Sequence, residues 1–321
     1  MAPGFQLRDF TYGQSGLLST AELSRDANAR TRLVRDVVGG HPDTATLVTP
    51  PHFYVEDDHG FELNIALAEE ALQTSKREIR PVLLVNRVYA DKNAAGLANS
   101  YAMAGITRLE LRLTPVGGDD ESLRKIRSVF AICAAFTAAG IEVTLGASGN
   151  IGPAAVALGH AAHYSVGVGL LEQVDYKAAI NRQAAPPKPV EDKKQNRGAI
   201  AGIYLPGLMG VVGRQHGAVL LANTDIRTKI GCRLDSCGTN IKGPAVNPRE
   251  HYLHSRAHEI AQSLAQPEAW RVTLEQERLR RAVELRELIN EHHPVKGMHP
   301  FKTRTLRALL DPKPDGRALS A

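Results

Sequence analysis

The chain is expected to fold as an α/β protein on a TIM-like (β/α)8 barrel, with a C-terminal helical extension that carries cysteines and histidines. Three observations point there. Residues 141–169, IEVTLGASGNIGPAAVALGHAAHYSVGVG, read as strand, short helix and strand, with a glycine at each change of element. Both strands are almost wholly small or apolar, as parallel strands covered on two faces are. Strand-like and helix-like runs then alternate from about residue 44 to 225, which predicts a parallel sheet. No GxGxxG opens any of these units, so a closed barrel is favoured over an open dinucleotide-binding sheet. A chain of 321 residues accommodates a barrel of about 200–250 residues plus an extension.

Taken in order, TATLVTPPHF (44–53) is a strand and FELNIALAEEALQTSK (61–76) a helix. PVLLVNRVY (81–89) is an apolar strand, followed by helical AAGLANSYAMAG (94–105). ITRLELRL (106–113) alternates with period two and reads as a strand. DDESLRKIRSVFAICAAFTAAG (119–140) is the clearest helix, with Asp119 or Asp120 as its cap and Gly140 as its stop. EVTLGAS, NIGPAAVALG and HYSVGVG then form a βαβ unit, whose polar groups Ser148, Asn150, Ser165 and Glu172 fall at strand ends. In α/β folds that edge carries the chemistry. GIYLPGLMG (202–210) and GAVLLANTD (217–225) complete the strand-like runs.

Two segments interrupt this rhythm. Residues 182–197, RQAAPPKPVEDKKQNR, form a Pro/Lys-rich loop with five basic and two acidic side chains, and a loop this long inside a barrel is usually functional. From residue 229 the chain becomes Cys/His-bearing and then strongly charged in LEQERLRRAVELRELINEHH. The expected division is therefore a catalytic barrel over 1–228 and an extension over 229–321.

Composition narrows the class further. Apolar residues make up 43%, ordinary for a soluble enzyme, and no run of about 18 apolar residues suggests a membrane span. MAPGFQLRDF lacks the charged-then-apolar layout of a signal peptide. Three cysteines, with Cys133 alone in an apolar helix, fit a reducing, cytoplasmic setting. A net charge of +5 and a pI near 9.1 suit a polyanionic partner. A homodimer is also expected.

Candidate sites follow from residue types at strand ends. His52, Tyr54, Glu56, Asp57 and Asp58 cluster just after a strand, where carboxylates serve as nucleophile or general acid, or else simply cap the next helix. Asn86, Arg87 and Tyr89 end a buried strand, where polar groups are costly without a purpose. Alternation puts Arg108, Glu110 and Arg112 on one face, and Leu109, Leu111 and Leu113 on the other. Glu110 is thus either an ion-paired acid at the barrel mouth or part of a surface salt bridge. Cys232 and Cys237, followed by His251, His254 and His258, match the donors and distances of a tetrahedral zinc site, the alternative being reduced thiols and surface imidazoles. Lys193, Lys194, Arg197, Arg249 and Arg256 are candidate phosphate contacts.

VTLGASGNIGPAAVALGHAAHYS resembles the late strand–helix–strand of the tRNA-guanine transglycosylase superfamily, which exchanges guanine for a deazaguanine base on a TIM barrel. The Cys pair followed by REHYLHSRAHEI resembles that family's zinc-bearing segment; together the two cover roughly residues 141–260. The resemblance implies a zinc site and a nucleic-acid substrate, and Cys232, Cys237, His251 and His254 are the expected ligands. It also marks departures, for one of the family's three zinc cysteines is missing and its later histidine has no clear counterpart. The family's nucleophilic aspartate falls at Tyr164 or Ser165, and its second aspartate at Thr49 or Pro50. Base exchange needs a covalent nucleophile, so the expected activity is hydrolysis of an N-glycosidic bond, releasing a base, expected to be a modified one, from DNA. Base exchange in tRNA is the alternative, as is a barrel that binds nucleic acid without catalysis. Glu110, Asp57 and Asp58 are the expected catalytic carboxylates. His52, Tyr54, Asn86, Arg87, Arg112, Ser148, Asn150 and Ser165 are the expected substrate contacts.

Overall fold

A computed structural model describes residues 19–166, 175–178, 181, 202–235, 237 and 242–311. Two short helices, α1 (Thr20–Arg25) and α2 (Ala27–Gly39), precede the sheet. β1 (Leu47–Val48) falls within the strand expected at 44–53, and β2 (Tyr54–Val55) begins just after it. Pro50 and Pro51 lie between them and have no N–H to donate to a ladder, so the strand is broken there. β1 pairs in parallel with β3 (Glu78–Ile79), and β2 with β4 (Val82–Asn86).

β5 (Arg108–Thr114), β6 (Glu142–Gly146) and β7 (His163–Ser165) complete a five-stranded parallel sheet in the order β2-β4-β5-β6-β7. Within this sheet each strand lies beside the sheet's next strand in sequence, while β3, between β2 and β4 in the chain, pairs with β1. The crossovers are α3 (Asp58–Thr74), α4 (Arg87–Met103), α5 (Leu123–Ala138) and α6 (Ile151–Ala157). Crossovers of one hand in a sheet wound in one direction place all the helices on one face. Leu109, Leu111 and Leu113 accordingly sit in one core with Leu97, Tyr101, Val129 and Phe136 from the helices. The intervening residues, Glu110, Arg112 and Thr114, point to the other face.

Several elements depart from expectation, each for a local reason. α5 begins at Leu123, because Ser122 accepts the Lys125 N–H while Asp119 and Asp120 are drawn into ion pairs with Arg286 and Lys302. GIYLPGLMG folds back at Pro206–Leu208, so β8 (Gly202–Leu205) and β9 (Gly210–Gly213) form an antiparallel hairpin. GAVLLANTD is not a strand. Its apolar residues lie in α7 (Arg214–Ala222), which buries His216, Gly217, Leu220 and Leu221 at helical spacing. Among the described residues the sheet does not close into a barrel.

The C-terminal part continues with α8 (Thr224–Ile230), α9 (Lys242–Val246), α10 (Pro248–Leu264), α11 (Glu268–His292) and α12 (Arg304–Leu309). Leu279, Ala282 and Val283 of α11 and Leu306 and Leu309 of α12 share the core of the parallel sheet. No helix is long and apolar enough to cross a membrane among the described residues.

Arg286 of α11 is 1% exposed and holds the turn between β8 and β9. Its Nε donates to the Leu208 carbonyl at 2.8 Å and its Nη2 to that of Met209 at 3.1 Å, while Nη1 reaches the Lys302 carbonyl and Asp119. Gly210 leaves the room: a Cβ there would lie 2.8 Å from Arg286 Nη2. Arg286→Met keeps the apolar stem and removes every donor. Urea unfolding should show a loss of about 3 kcal/mol, as when buried charge-assisted bonds are removed together. A loss within about 0.5 kcal/mol, ordinary for a surface change, would show the turn to be held by other means.

Candidate functional site

The face of the sheet opposite the helices carries a compact polar cluster centred on Glu110, which is 3% exposed. Its Oε1 accepts from Arg112 Nε at 2.6 Å and from Ser165 Oγ at 2.8 Å. Its Oε2 lies 3.5 Å from Arg80 Nη2. Glu110 and Ser165 stand on β5 and β7, with β6 between them, and meet only because Gly146 has no side chain. A Cβ at Gly146 would lie 2.5 Å from Glu110 Oε1 and 3.0 Å from Ser165 Oγ. One carboxylate oxygen is thus fully engaged, and the other is held more loosely.

His52 belongs to this cluster electrostatically. Burial first, then the Arg112 guanidinium, push its pKa down to about 4. Its Nδ1 lies 3.3 Å from the Pro50 carbonyl, which places the ring proton there and leaves Nε2 as an acceptor. Tyr176 hydrogen-bonds Arg112, and its backbone N–H donates to Thr114 Oγ1 at 3.2 Å. At the strand ends Asn86 Nδ2 donates to Tyr54 Oη at 3.1 Å, and Lys177 pairs with Glu56 at 2.7 Å. Desolvation raises the Tyr54 pKa.

Other expected site residues serve the scaffold. Asp57 caps α3 by accepting the Gly60 N–H, and Asp58 in its first turn accepts the Tyr89 hydroxyl. Both aspartates are exposed, and the contacts they make are those of the helix-capping alternative. Arg87 donates to Ser128 on α5. Asn86 also caps α4 through Val88 and Tyr89. Asn150 is buried, donating to the Met209 carbonyl at 2.7 Å and accepting from Arg256 at 3.3 Å. Ser148 is buried, with no hydrogen-bond partner for its hydroxyl among the described residues. Lys193, Lys194, Arg197 and Glu172 lie outside the described residues. Arg80, Gly146 and Tyr176 were not among the sequence candidates. The usable signal was Gly146, the one glycine ending an apolar strand on its polar side.

The second cluster is formed by Cys232, Cys237, His251 and His254, whose donor atoms all lie within 4.8 Å of one another. Cys232 Sγ is 3.4 Å from His254 Nε2, and Cys237 Sγ is 3.2 Å from His251 Nδ1. α10 begins at Pro248 after the Asn247 cap, and its three-residue spacing brings both imidazoles to one face. His251 Nε2 donates to the Tyr204 carbonyl at 2.6 Å, fixing the tautomer that presents an unprotonated Nδ1 to the centre. Burial, with the Cys232 thiol next, pushes Cys237 up to about 12. The set can hold a metal ion, whose charge would stabilise both cysteines as thiolates. His258, the third histidine of the segment, is not in the cluster.

Behind the metal ligands lies a buried ionic network. Arg256, 2% exposed, pairs with Glu259 at 2.9 Å and stacks over the Tyr204 ring with its Cζ 4.5 Å from the centroid. Tyr204 Oη donates to Glu259 at 2.8 Å, and Arg278 bridges Glu259 and Glu275 at 3.1 and 2.8 Å. Arg256 is therefore not a nucleic-acid contact, a correction to the sequence expectation. It lies seven residues, nearly two turns, further along α10 than Arg249, which is exposed at the start of that helix.

No family model matches the chain, and no curated protein or solved structure matches it either. Its chemistry is therefore read from the two clusters.

The metal cluster makes a direct prediction. Purified protein should carry about one tightly bound metal ion per chain, and Cys232→Ser should lose the ion and melt at lower temperature. Metal analysis by mass spectrometry and a thermal melt check both; an unchanged melt without metal would refute it.

His52 makes a second. Held neutral in the fold with a pKa near 4, against an ordinary value of 6.5, it takes up its proton later than the unfolded chain as pH falls. Its stabilising contribution is complete above about pH 6.5 and drains away towards pH 4. His160, His216, His251 and His254 are also lowered and share the window, so the comparison must be with His52→Gln. The variant should lose less stability between these pH values than the wild type. NMR titration should show the His52 ring neutral at pH 5.5, and a midpoint near 6.5 would contradict the assignment.

Proposed function

We propose that the chain is a nucleic-acid N-glycosylase that hydrolyses the bond between a base and its sugar, with DNA as the preferred polymer. We propose further that its sheet continues into a (β/α)8 barrel. The strand order supports this, because a barrel strand always neighbours the next in sequence. The observation that carries the catalytic reading is the placement of Glu110: a buried carboxylate on the face away from the helices, with one oxygen loosely held beside arginines and a neutral imidazole. Ser165, one of the two positions, with Tyr164, at which the resemblance puts the transglycosylases' nucleophile, donates to this same carboxylate. The carboxylate available here stands two strands away, on β5. From there it favours activation of water over covalent capture of the sugar, and hence base release over base exchange.

The base would be flipped out of the stack, since a stacked base hides the sugar carbon. Glu110 takes a proton from water, the water oxygen bonds to C1′, and the bond from C1′ to the base nitrogen breaks. The departing base carries the electron pair, stabilised by Arg112, and is protonated by solvent. His52 Nε2 offers a hydrogen-bond acceptor to the base edge. Zinc is the metal that two thiolates and two imidazoles in tetrahedral array suit best. Its place behind β8 supports a structural role.

The test is direct. The protein is incubated with unmodified DNA, modified DNA and bulk tRNA, and released base is sought by mass spectrometry, with alkali-labile strand breaks as a second readout. Glu110→Gln should reduce base release at least ~100-fold while leaving polymer binding nearly intact, as expected of a group that acts in the transition state. Incorporation of labelled guanine into tRNA would replace this reading with base exchange.

A further inference from the structure

A cleft of about 860 Å³ lies between α10, α11 and the segment that bears Cys232. It shares no lining residue with the Glu110 cluster. From this cleft we infer a second binding site, which takes one nucleotide unit: a phosphate on Lys229, Arg233 and Arg281, and a base against the leucines of α11.

Three features support that ligand. The α11 wall is a single helical stripe, Leu274, Arg278, Arg281, Leu285 and Leu288, spaced four, three, four and three residues apart. It presents apolar side chains and guanidiniums side by side, so an occupant must be partly flat and apolar and partly anionic. The charge is uneven: Lys229, Arg233, Arg278 and Arg281 face only Glu259 and Glu284 among the lining acids. Glu259 is already taken by Arg256 and Arg278, Arg281 is paired only with exposed Glu277 outside the cleft at 3.5 Å, and Lys229 and Arg233 have no ion pair among the described residues. The facing wall offers Gln262 of α10 and Gln266 just past its end, whose amides each present a donor and an acceptor, the pattern that reads a base edge. The volume falls within the range of small-molecule sites, about 300–1,000 Å³.

Arg233 directly follows the metal ligand Cys232, so the metal cluster sets one wall of the cleft. Arg278 Nη2 lines it from the other side, buried and without a hydrogen bond among the described residues, although within 3.1 Å of Glu259. A phosphate oxygen or base carbonyl at this point would complete its coordination.

Fluorescent etheno-AMP titrated into the full chain, followed by anisotropy, tests the site. Arg233→Glu with Arg281→Glu should weaken binding at least ~10-fold, as reversal of contacting charges does. Both side chains are exposed, so the thermal melt should not change, and Arg281→Glu alone should give an intermediate loss. Arg249→Glu, exposed on α10 but outside the cleft, should bind like the wild type. Glu110→Gln should also bind like the wild type, which keeps this site separate from the proposed catalytic one. A short single-stranded DNA that displaces the probe assigns the nucleotide to a polymer; failure to displace assigns it to a free nucleotide, and either supports the site. Wild-type affinity in the double charge reversal would overturn it. So would displacement by inorganic phosphate or a glutamate-rich peptide as readily as by AMP.

Discussion

The turn Leu208–Met209 between β8 and β9 presents two carbonyls to the protein interior, where neither can reach water. Met209 has a left-handed backbone, φ 47°, so its carbonyl points away from the hairpin ladder. It is satisfied from two directions, by Asn150 at 2.7 Å and by Arg286 at 3.1 Å. One carbonyl thereby joins the loop after β6, the hairpin and the long helix α11. A buried carbonyl left unpaired costs about 1–3 kcal/mol, so these three elements adopt their arrangement together. Asn150 also accepts from Arg256 of α10, so the helix bearing the metal histidines is tied to the same point. The other end of that loop is Gly146, against Glu110. Five residues thus link the polar face of the sheet to the metal-bearing end of the chain.

Much of this was legible in the sequence. The period of two in ITRLELRL separates Glu110 and Arg112 from three leucines, and no other residue pattern in the chain places charge so close to a core strand. The metal cluster was legible because thiols and imidazoles are few and their spacing is local. Three things were not. Pro50 and Pro51 break a strand whose composition is otherwise that of a strand. The run GAVLLA is apolar over too short a length for its period to separate strand from helix. Arg256 reads as a surface cation, since nothing local announces the Tyr204 ring and the Glu259 carboxylate that bury it. These depend on partners about 50 residues away or on the far side of a turn, and pattern within a window carries no information about them.

Two buried ionic clusters invite the same interpretation and deserve different ones. Around Glu259, every charge has an opposite charge in contact: Arg256, Arg278 and Glu275 alternate in sign, and Tyr204 adds a hydroxyl and a ring face. Charges so paired offset their desolvation and leave little capacity for a substrate. That cluster holds α10 and α11 against β8, and its one open edge is the side of Arg278 that faces the cleft.

Around Glu110 the balance is different. Two guanidiniums and one carboxylate leave an excess of positive charge on the face opposite the crossover helices, next to an imidazole kept neutral by its surroundings. Gly146 leaves the room in which Glu110, Arg112 and Ser165 meet, since a Cβ there would lie 2.5 Å from Glu110 Oε1 and 3.0 Å from Arg112 Cγ and Ser165 Oγ. The proposed substrate, an anionic polymer drawn by the arginines with one base turned towards Glu110, would answer both that charge and the neutral ring.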